Sequence, residues 1–307
     1  MLKFGRYDFT RLDKLYMNNP PTPSAEYPWL EIVHPDVQPG QVHYALFYFD
    51  GTLSVIRHGW EKIMIAVMVE SICEDLPPTP EIETEVAQYV DRSTGILTIR
   101  QMKWLEEAVR RYGFAHLRRT AAEYKRIYNE RLLQPVSRRL ALLDGNDAAR
   151  EAWMVAGARD FLERLVARGV KLFLASGTDQ EYVEREADAL GIRDYFDGYI
   201  FGAKGDSESD SKEMVIQRIL SEQRLQGEEL LVVGDGPVEI QYARKASAVA
   251  LGVAADEVKR SGLDPRKRQR LLNAGADWII SDFLHSAELV EMLCELKIST
   301  SNPLPDK

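Results

Sequence analysis

The chain has 307 residues, of which 45% are hydrophobic and 28% are charged. These proportions are typical of a folded protein with a sizeable core, and the formal net charge of −9 argues against a dedicated nucleic-acid-binding protein, whose surface is normally basic. No apolar segment approaches the roughly 20 residues of a membrane-spanning helix, and the first residues do not resemble a signal peptide. The two cysteines are too few for a disulfide framework or a cysteine-based metal site, so we expect a cytoplasmic protein with no membrane partner.

Both ends of the chain differ from the rest. The proline-rich run Asn18–Ser24 excludes the interior of a regular helix or sheet, and we interpret residues 1–42 as an N-terminal extension. The aromatic residues Tyr27 and Trp29 indicate that this extension lies against the body of the protein. Residues 299–307 are polar and proline-containing, which predicts a flexible tail.

Short apolar runs bounded by Gly, Asp or Ser predict strands that are buried on both faces. From residue 156 onward these runs alternate with helical segments, as in a parallel sheet built of βαβ units. The predicted strands are His43–Phe49, Val170–Ala175, Gly198–Phe201, Leu230–Val233, Ser247–Leu251 and Asp277–Ile280.

Residues 57–155 show helical periodicity throughout, with prolines at 77, 78, 80 and 135 predicted to separate the helices. A segment of roughly 100 residues is far longer than an ordinary connection between strands. We therefore predict an α/β fold in which residues 43–56 and 156–298 form a Rossmann-like parallel sheet core. Residues 57–155 would then be an inserted helical domain.

Two polar segments follow the first two predicted strands. In the first, the strand runs directly into Asp50, Gly51 and Thr52. In the second, Ser176 and Gly177 offer a hydroxyl and backbone N–H groups that can hold a phosphate. Each segment alone is also ordinary turn chemistry. Together they are stronger evidence, because open parallel sheets bind ligands at the carboxyl ends of their strands.

Two further segments complete the pattern. Lys212 falls in the first turn of a predicted helix, where the helix dipole disfavours a cation, so it is either exposed or held for an anion. Lys204 is a rival for that role. Asp235 follows the strand Leu230–Val233, and Glu239 lies four residues later, so that both can converge on one hard cation such as Mg²⁺.

In this order the four segments resemble the motifs of the haloacid dehalogenase superfamily, specifically its phosphatases. The resemblance implies Mg²⁺-dependent phosphoryl transfer from a small phosphorylated metabolite, for example a sugar phosphate, through an aspartyl-phosphate. It also implies that residues 57–155 form a cap domain. The site residues that it implies are Asp50 as acid–base group; Thr52, Ser176, Gly177 and Lys212 on the phosphate; and Asp50, Asp235 and Glu239 on the metal.

The position of the family's nucleophilic aspartate is occupied by Tyr48. A phenol has a reference pKa of about 10, so an unperturbed tyrosine is mostly neutral at pH 7 and lacks the carboxylate that attacks phosphorus and helps to bind Mg²⁺. We expect little Mg²⁺-dependent phosphatase activity, and we expect Tyr48→Asp to create it. Three interpretations stay open: a variant of a working phosphatase, a natural pseudo-phosphatase that binds a phosphorylated ligand or a partner protein, and a different transfer chemistry at Tyr48. The sequence indicates no oligomeric state.

Two segments of the insertion are also candidates for contact with the site. Arg57, His58 and Trp60 lie where the chain enters the insertion, although a packing role is at least as plausible there. The segment Ser93–Gly95 interrupts the predicted helices and is a candidate loop over the site.

Overall fold

A mixed, mostly parallel sheet of seven strands, in the order β1-β7-β6-β5-β2-β3-β4, forms the centre of the protein. The computed structural model describes residues 26–37, 42–143, 145–204 and 212–294. The strands are β1 (Leu30–Ile32), β2 (Tyr44–Tyr48), β3 (Lys171–Asp179), β4 (Ile200–Ala203), β5 (Leu230–Gly234), β6 (Val249–Val253) and β7 (Trp278–Ile280). The helices are α1 (Trp60–Cys73), α2 (Pro80–Arg92), α3 (Thr98–Tyr112), α4 (Ala121–Leu140), α5 (Asp147–Ala152), α6 (Ala158–Ala167), α7 (Gln180–Ala189), α8 (Lys212–Gln223), α9 (Pro237–Lys245), α10 (Pro265–Ala274) and α11 (Ser286–Cys294).

Strand β2 lies between β3 and β5 and is parallel to both. Tyr48 is opposite Ala175 of β3, and Phe47 is opposite Val233 of β5. The carboxyl ends of these three strands therefore lie side by side. The predicted Rossmann-like core is confirmed, and its topology brings together the loops that follow β2, β3 and β5.

The sheet is not wholly parallel, because its edge strand β1 runs antiparallel to β7, with Leu30 opposite Ile280. This strand comes from the segment that the sequence assigns to an N-terminal extension. It has only three residues, too few for alternating burial to be recognised in the sequence. Trp29 stacks on the His285 ring at 4.9 Å between centroids, so this part of the extension packs on the body, as expected. The proline-rich run and the predicted tail at 299–307 lie outside the described residues.

Three strands differ from their predictions by two residues or more at an end. Strand β4 spans Ile200–Ala203 in place of the predicted Gly198–Phe201. Strand β3 continues past Ala175 to Asp179, with a register irregularity against β4 in that interval, so Ser176 and Gly177 belong to the end of a strand. Strand β6 starts at Val249 and not at Ser247. Ser247 has a φ of 57°, a left-handed conformation that cannot continue a strand.

Five helices, α1 to α5, form the insertion between β2 and α6. Thr79 caps α2 by accepting a hydrogen bond from the Ile82 N–H, and Pro80 occupies the first turn. Pro135, in contrast, does not separate two helices as predicted but lies inside α4, where its neighbours Leu132 and Val136 are buried and hold the helix together.

The two chain crossings between the sheet core and the insertion lie side by side. The Val55 N–H donates to the Trp153 carbonyl and the Val155 N–H donates to the Leu53 carbonyl, both at 3.0 Å. This pairing fixes the base of the insertion beside the end of β2. Within the described ranges, no helix is both long and apolar enough to cross a membrane.

Candidate active site

A cavity of about 100 Å³ lies where the ends of β2, β3 and β5 meet the helical insertion. Its walls contain every site residue predicted from the sequence except Thr52. Those residues are Tyr48, Asp50, Ser176, Gly177, Lys212, Asp235 and Glu239. Thr52 lies just behind the wall, buried, with its hydroxyl donating to Asp235 Oδ1 at 3.3 Å. The structure thus brings all eight predicted residues to one place.

The Asp50 carboxylate is held by the end of β3. Its Oδ2 accepts hydrogen bonds from the Ser176 hydroxyl at 3.1 Å and the Thr178 hydroxyl at 3.2 Å, and its Oδ1 lies 3.7 Å from Arg57 Nε. Burial raises the pKa of Asp50 to about 6, although the Arg57 guanidinium and the two hydroxyls oppose the rise. A carboxyl group with this pKa can hold or release a proton near neutral pH, as an acid–base group must.

Arg57 is fixed at the entrance to the insertion. Its guanidinium donates to both carboxylate oxygens of the buried Glu186, at 2.6 and 3.0 Å, while also facing Asp50. Bidentate pairing of this kind sets the orientation of the guanidinium. Arg57 and Trp60, two of the candidates for contact with the site, both line the cavity. His58 lies 3.5 Å from Glu257.

Tyr48 ends strand β2 and is 1% exposed. The Lys212 ammonium lies 4.4 Å from the centre of its ring, a cation–π contact, and its hydroxyl has no hydrogen-bond partner among the described residues. Burial raises the pKa of Tyr48 well above its usual value, and the nearby Glu239 carboxylate raises it further. The phenol is therefore neutral at physiological pH.

Lys212 opens helix α8 beside the cavity, whereas its rival Lys204 is at the exposed surface. The Lys212 ammonium donates a hydrogen bond to Glu239, and both side chains are buried. Glu239 in turn accepts from the Gly236 N–H at 3.0 Å at the start of α9. Burial raises the pKa of Glu239, while the Lys212 ammonium opposes this.

Lys267, which no sequence motif singled out, is buried between two carboxylates. Its ammonium lies 2.7 Å from Asp235 Oδ2 and 2.8 Å from Glu257 Oε1. Burial alone would raise the pKa of Glu257, but the ammonium lowers it to about 2, and the two carboxylates together raise the pKa of Lys267. Glu257 and Lys267 are therefore both charged at neutral pH.

A signal for Lys267 exists in the sequence. It lies in the first turn of α10, capped by Asp264, which is the same unfavourable position relative to the helix dipole that singled out Lys212. Glu186, Glu257 and Thr178 were also missed, and no local pattern distinguishes them from other helix and loop residues.

The loop that includes Thr94, Gly95 and Ile96 lies over the cavity and lines it. Ser93 accepts a hydrogen bond from the Gln101 amide at 3.0 Å, and Thr94 accepts one from Arg270 at 3.2 Å. These contacts connect the loop to α3 and to α10, so its position over the site depends on both the insertion and the sheet core.

The residues present do not fit the Mg²⁺ ion that the resemblance implies. Asp50 is engaged by Ser176, Thr178 and Arg57, and the neutral Tyr48 replaces a carboxylate. The two other predicted ligands, Asp235 and Glu239, are each paired with a buried ammonium. In the part of the chain that the structure describes, no three His, Cys, Asp or Glu side chains are grouped as a metal site. Of the six carboxylate oxygens of Asp50, Asp235 and Glu239, only Asp50 Oδ1 has no hydrogen-bond partner in the described structure, and it faces the Arg57 guanidinium at 3.7 Å. This leaves too few free oxygens for a divalent cation.

Comparison with known proteins agrees with this fold. The profile of haloacid dehalogenase-like hydrolases matches residues 45–247. Human phosphoserine phosphatase is 27% identical over 192 residues, which are 58% of this chain and 76% of that enzyme, and the enzyme from Pongo abelii gives the same values.

Two solved structures share the fold. A predicted phosphoglycolate phosphatase from Haemophilus somnus has a TM-score of 0.56 and 17% identity over 81% of this chain and 98% of its own. A predicted phosphatase from Clostridium acetobutylicum has a TM-score of 0.54 and 17% identity over 82% of this chain and 100% of its own. With the profile matching most of the chain, the order of the motifs and the topology of the sheet have one explanation: the chain belongs to the haloacid dehalogenase-like hydrolases.

Proposed function

We propose that the cavity binds a small phosphomonoester and that the chain does not hydrolyse it through an aspartyl-phosphate. One observation carries this proposal: the residue at the nucleophile position is a buried, neutral tyrosine whose ring lies against the Lys212 ammonium. The site thus keeps groups for recognising a phosphate but has no carboxylate to attack it.

Several groups support the binding of an anion. Ser176 and Thr178 line the cavity with Lys212, and the single O–H of each, which here donates to Asp50, can rotate to donate to a bound anion. An ammonium has three N–H donors, so Lys212 can hold Glu239 and a phosphate oxygen together. Arg57 adds a second positive charge on the wall of the cavity.

The size of the cavity favours a small ligand. About 100 Å³ is below the usual range for drug-sized ligands, and the walls include the apolar side chains of Trp60, Ile96 and Leu132 from the insertion. The similar proteins are named for phosphoserine and phosphoglycolate, which are both small phosphomonoesters. These two compounds and a sugar phosphate are the first ligands to test. On this proposal, the insertion at 57–155 serves as a cap over the ligand.

Asp50 does not replace the missing nucleophile. Its carboxylate is oriented by the two hydroxyls of β3 and by Arg57, and its use as nucleophile would leave the acid–base role vacant. Loss of a nucleophile from a catalytic unit typically costs on the order of 10⁴-fold or more in rate.

Among the open interpretations, the buried Lys267 favours a pseudo-phosphatase over a variant of a working enzyme. In a variant changed only at position 48, Asp235 would remain available to a metal. Here Asp235 Oδ2 is instead bound to an ammonium at 2.7 Å, so the departure from the family's chemistry extends beyond the nucleophile. A different transfer reaction at Tyr48 is disfavoured because its buried phenol is neutral.

The test is isothermal titration of the wild-type protein with phosphoserine, phosphoglycolate and a sugar phosphate, together with an assay for released phosphate. We expect binding without turnover. Lys212→Met should weaken binding about tenfold or more, because it removes a charge-assisted hydrogen bond from a buried site. The control Lys245→Met changes a lysine that is more than half exposed and pairs with Glu213, and it should bind like the wild type.

Two results would contradict the proposal. Robust turnover of any of these esters by the wild-type protein would show that a nucleophile other than an aspartate at position 48 operates. Equal affinity of Lys212→Met and the wild type would place the anion outside this cavity.

A further inference from the structure

We infer that the Lys267 ammonium takes the place of the divalent cation at this site, so that the cavity binds its anion independently of Mg²⁺. The identity of the anion rests on the function proposed above, whereas the role of Lys267 toward Asp235 and Glu257 does not.

The surroundings of Lys267 are those of a bound cation. Its side chain is 6% exposed, and three oxygens surround the ammonium: Asp235 Oδ2 at 2.7 Å, Glu257 Oε1 at 2.8 Å and the Gly51 carbonyl at 3.5 Å. An ammonium has three N–H donors and no acceptor, so this set of two carboxylates and one carbonyl suits its charge and its donor number.

The contact between Lys267 and Asp235 leaves no room for a side chain at Gly51. Gly51 has a φ of 74°, and a Cβ at this residue would lie 2.2 Å from Asp235 Oδ2 and 3.0 Å from Lys267 Nζ. A side chain at position 51 would therefore displace the ion pair. The Thr52 hydroxyl binds the other oxygen of Asp235, so both oxygens of this carboxylate have partners.

A metal at Asp235 would have to displace Lys267. Mg²⁺ binds carboxylate oxygens at about 2.0–2.1 Å, and a cation at that distance from Asp235 Oδ2 would share the oxygen with an ammonium. Two cations on one buried oxygen repel each other strongly, since little water screens them. Tyr48 also disfavours metal binding, because a neutral phenol lies where a second carboxylate would attract the metal.

Lys267 is held in place by the start of its helix. Asp264 caps α10 by accepting hydrogen bonds from the backbone N–H groups of Arg266 and Lys267, which fixes the first turn. The helix dipole disfavours a lysine in this turn. The two carboxylates offset that effect, so the position of the ammonium follows from specific contacts.

For the ligand, Lys267 acts as a positioning residue. Asp235 and Glu257 line the cavity, and without a cation their negative charges would repel an entering phosphate. The ammonium neutralises part of this charge and holds both carboxylates by hydrogen bonds. A resident metal usually provides this neutralisation, and here a side chain of the protein provides it.

The test compares the wild type with Lys267→Met, which keeps an unbranched side chain one atom shorter and removes the charge. Binding of Mn²⁺ is followed by electron paramagnetic resonance, and binding of inorganic phosphate by calorimetry in EDTA and in MgCl₂. We expect the wild type to bind no Mn²⁺ at the site and to bind phosphate with affinities that agree within about twofold in the two buffers. Lys267→Met should bind Mn²⁺, and its affinity for phosphate should increase about tenfold or more with MgCl₂.

Folding of the variant is tested at the same time. Because Lys267→Met leaves the buried Asp235 and the partly buried Glu257 without this cation, we expect its melting temperature to fall in EDTA and to recover in MgCl₂, a response that the wild type should lack. The control Lys259→Met removes an exposed lysine that pairs with Asp256 at 3.1 Å, and it should resemble the wild type in every measurement.

Stoichiometric Mn²⁺ binding by the wild type that Asp235→Asn abolishes would overturn the inference, as would a Lys267→Met protein that neither binds Mn²⁺ nor is stabilised by Mg²⁺. If the wild type binds no phosphate or phosphomonoester in either buffer, the proposed function fails. The Mn²⁺ and melting measurements still decide the role of Lys267 in that case.

Discussion

The Lys212 ammonium contacts two groups at once: it lies 4.4 Å from the centre of the Tyr48 ring and donates a hydrogen bond to Glu239. The cation that would hold a phosphoryl oxygen thus lies against the residue that replaces the nucleophile. The aromatic ring preserves the position of the ammonium without supplying a group that attacks phosphorus. Under the proposed function, recognition of phosphate and cleavage of its ester are separable in this site, and substitutions can test each of them.

The Tyr48 hydroxyl should be dispensable. Because this buried oxygen has no partner in the described structure, Tyr48→Phe removes an unsatisfied polar group while keeping the ring under Lys212. We expect the free energy of unfolding, measured in urea, to stay the same or to rise by about 1 kcal/mol. The affinity for a phosphomonoester should not change. A large loss of affinity in Tyr48→Phe would show that the hydroxyl contacts the ligand.

Creating a phosphatase should need two changes. The sequence alone predicts that Tyr48→Asp is sufficient, but the Lys267 ammonium at Asp235 adds a second requirement. We therefore expect Tyr48→Asp to release little phosphate from phosphoserine or phosphoglycolate, and Tyr48→Asp with Lys267→Met to release it in a Mg²⁺-dependent reaction. Steady-state phosphate release with and without Mg²⁺ measures the activity of both variants.

The matched control for this experiment is Tyr48→Asn with Lys267→Met, which has nearly the same shape as the active combination but no nucleophilic carboxylate. It should be inactive. If Tyr48→Asp alone were as active as the double variant, Lys267 would not be an obstacle to the reaction.

The parallel core was predictable because its signals are local. Each apolar run and the polar residues that follow it are adjacent in sequence, and the order of the runs gives the βαβ pattern. Strand β1 was not predictable, since its three residues are recognisable as a strand only by their pairing with β7, roughly 250 residues later. The continuity of α4 through Pro135 likewise depends on tertiary packing of its buried neighbours.

The candidate site was likewise predictable where its signals are local and not where they depend on tertiary contacts. Asp50, Ser176 and Asp235 follow their strands directly, so topology alone places them together. The groups that set their charge lie outside these local segments: Glu186 is 129 residues from Arg57, and Lys267 is 32 residues from Asp235. The helix position of Lys267 is visible in the sequence, but neither pairing is, and the pairing of Lys267 with Asp235 bears on whether a metal can bind.

The buried pair of Arg57 and Glu186 should be important for stability. Glu186 is fully buried and accepts two hydrogen bonds from the guanidinium, so Glu186→Gln leaves Arg57 with only Asp50 as a charged partner. We expect the free energy of unfolding to fall by about 3–5 kcal/mol, as is typical when one partner of a buried ion pair is removed.

Urea denaturation at pH 7 measures this effect. The control Glu184→Gln lies on the same helix, where Glu184 is partly exposed and 3.6 Å from Arg193, and it should change the free energy by about 0.5 kcal/mol or less. Equal effects of the two substitutions would show that the pair with Arg57 contributes no more to the free energy of unfolding than an exposed pair.

Asp50 should make the protein less stable as the pH rises from about 4 to 6. Burial raises the pKa of Asp50 in the folded protein to about 6, above the value of about 3.9 expected in the unfolded chain. Between these values the folded state binds more protons than the unfolded state, so the free energy of unfolding decreases with increasing pH. A difference of roughly two pKa units corresponds to a decrease of about 1–3 kcal/mol, fully developed at pH 7.

Asp50→Asn removes this titration while keeping the shape of the side chain. Urea denaturation at intervals between pH 4 and pH 7 should therefore show the variant gaining stability relative to the wild type as the pH rises, with most of the gain between pH 4 and pH 6. The carboxyl carbon resonance of Asp50 provides a direct check, with an expected midpoint of about 6. A midpoint below 4, or a stability difference that does not vary with pH, would show that the Arg57 guanidinium and the hydroxyls of Ser176 and Thr178 outweigh burial at this carboxylate.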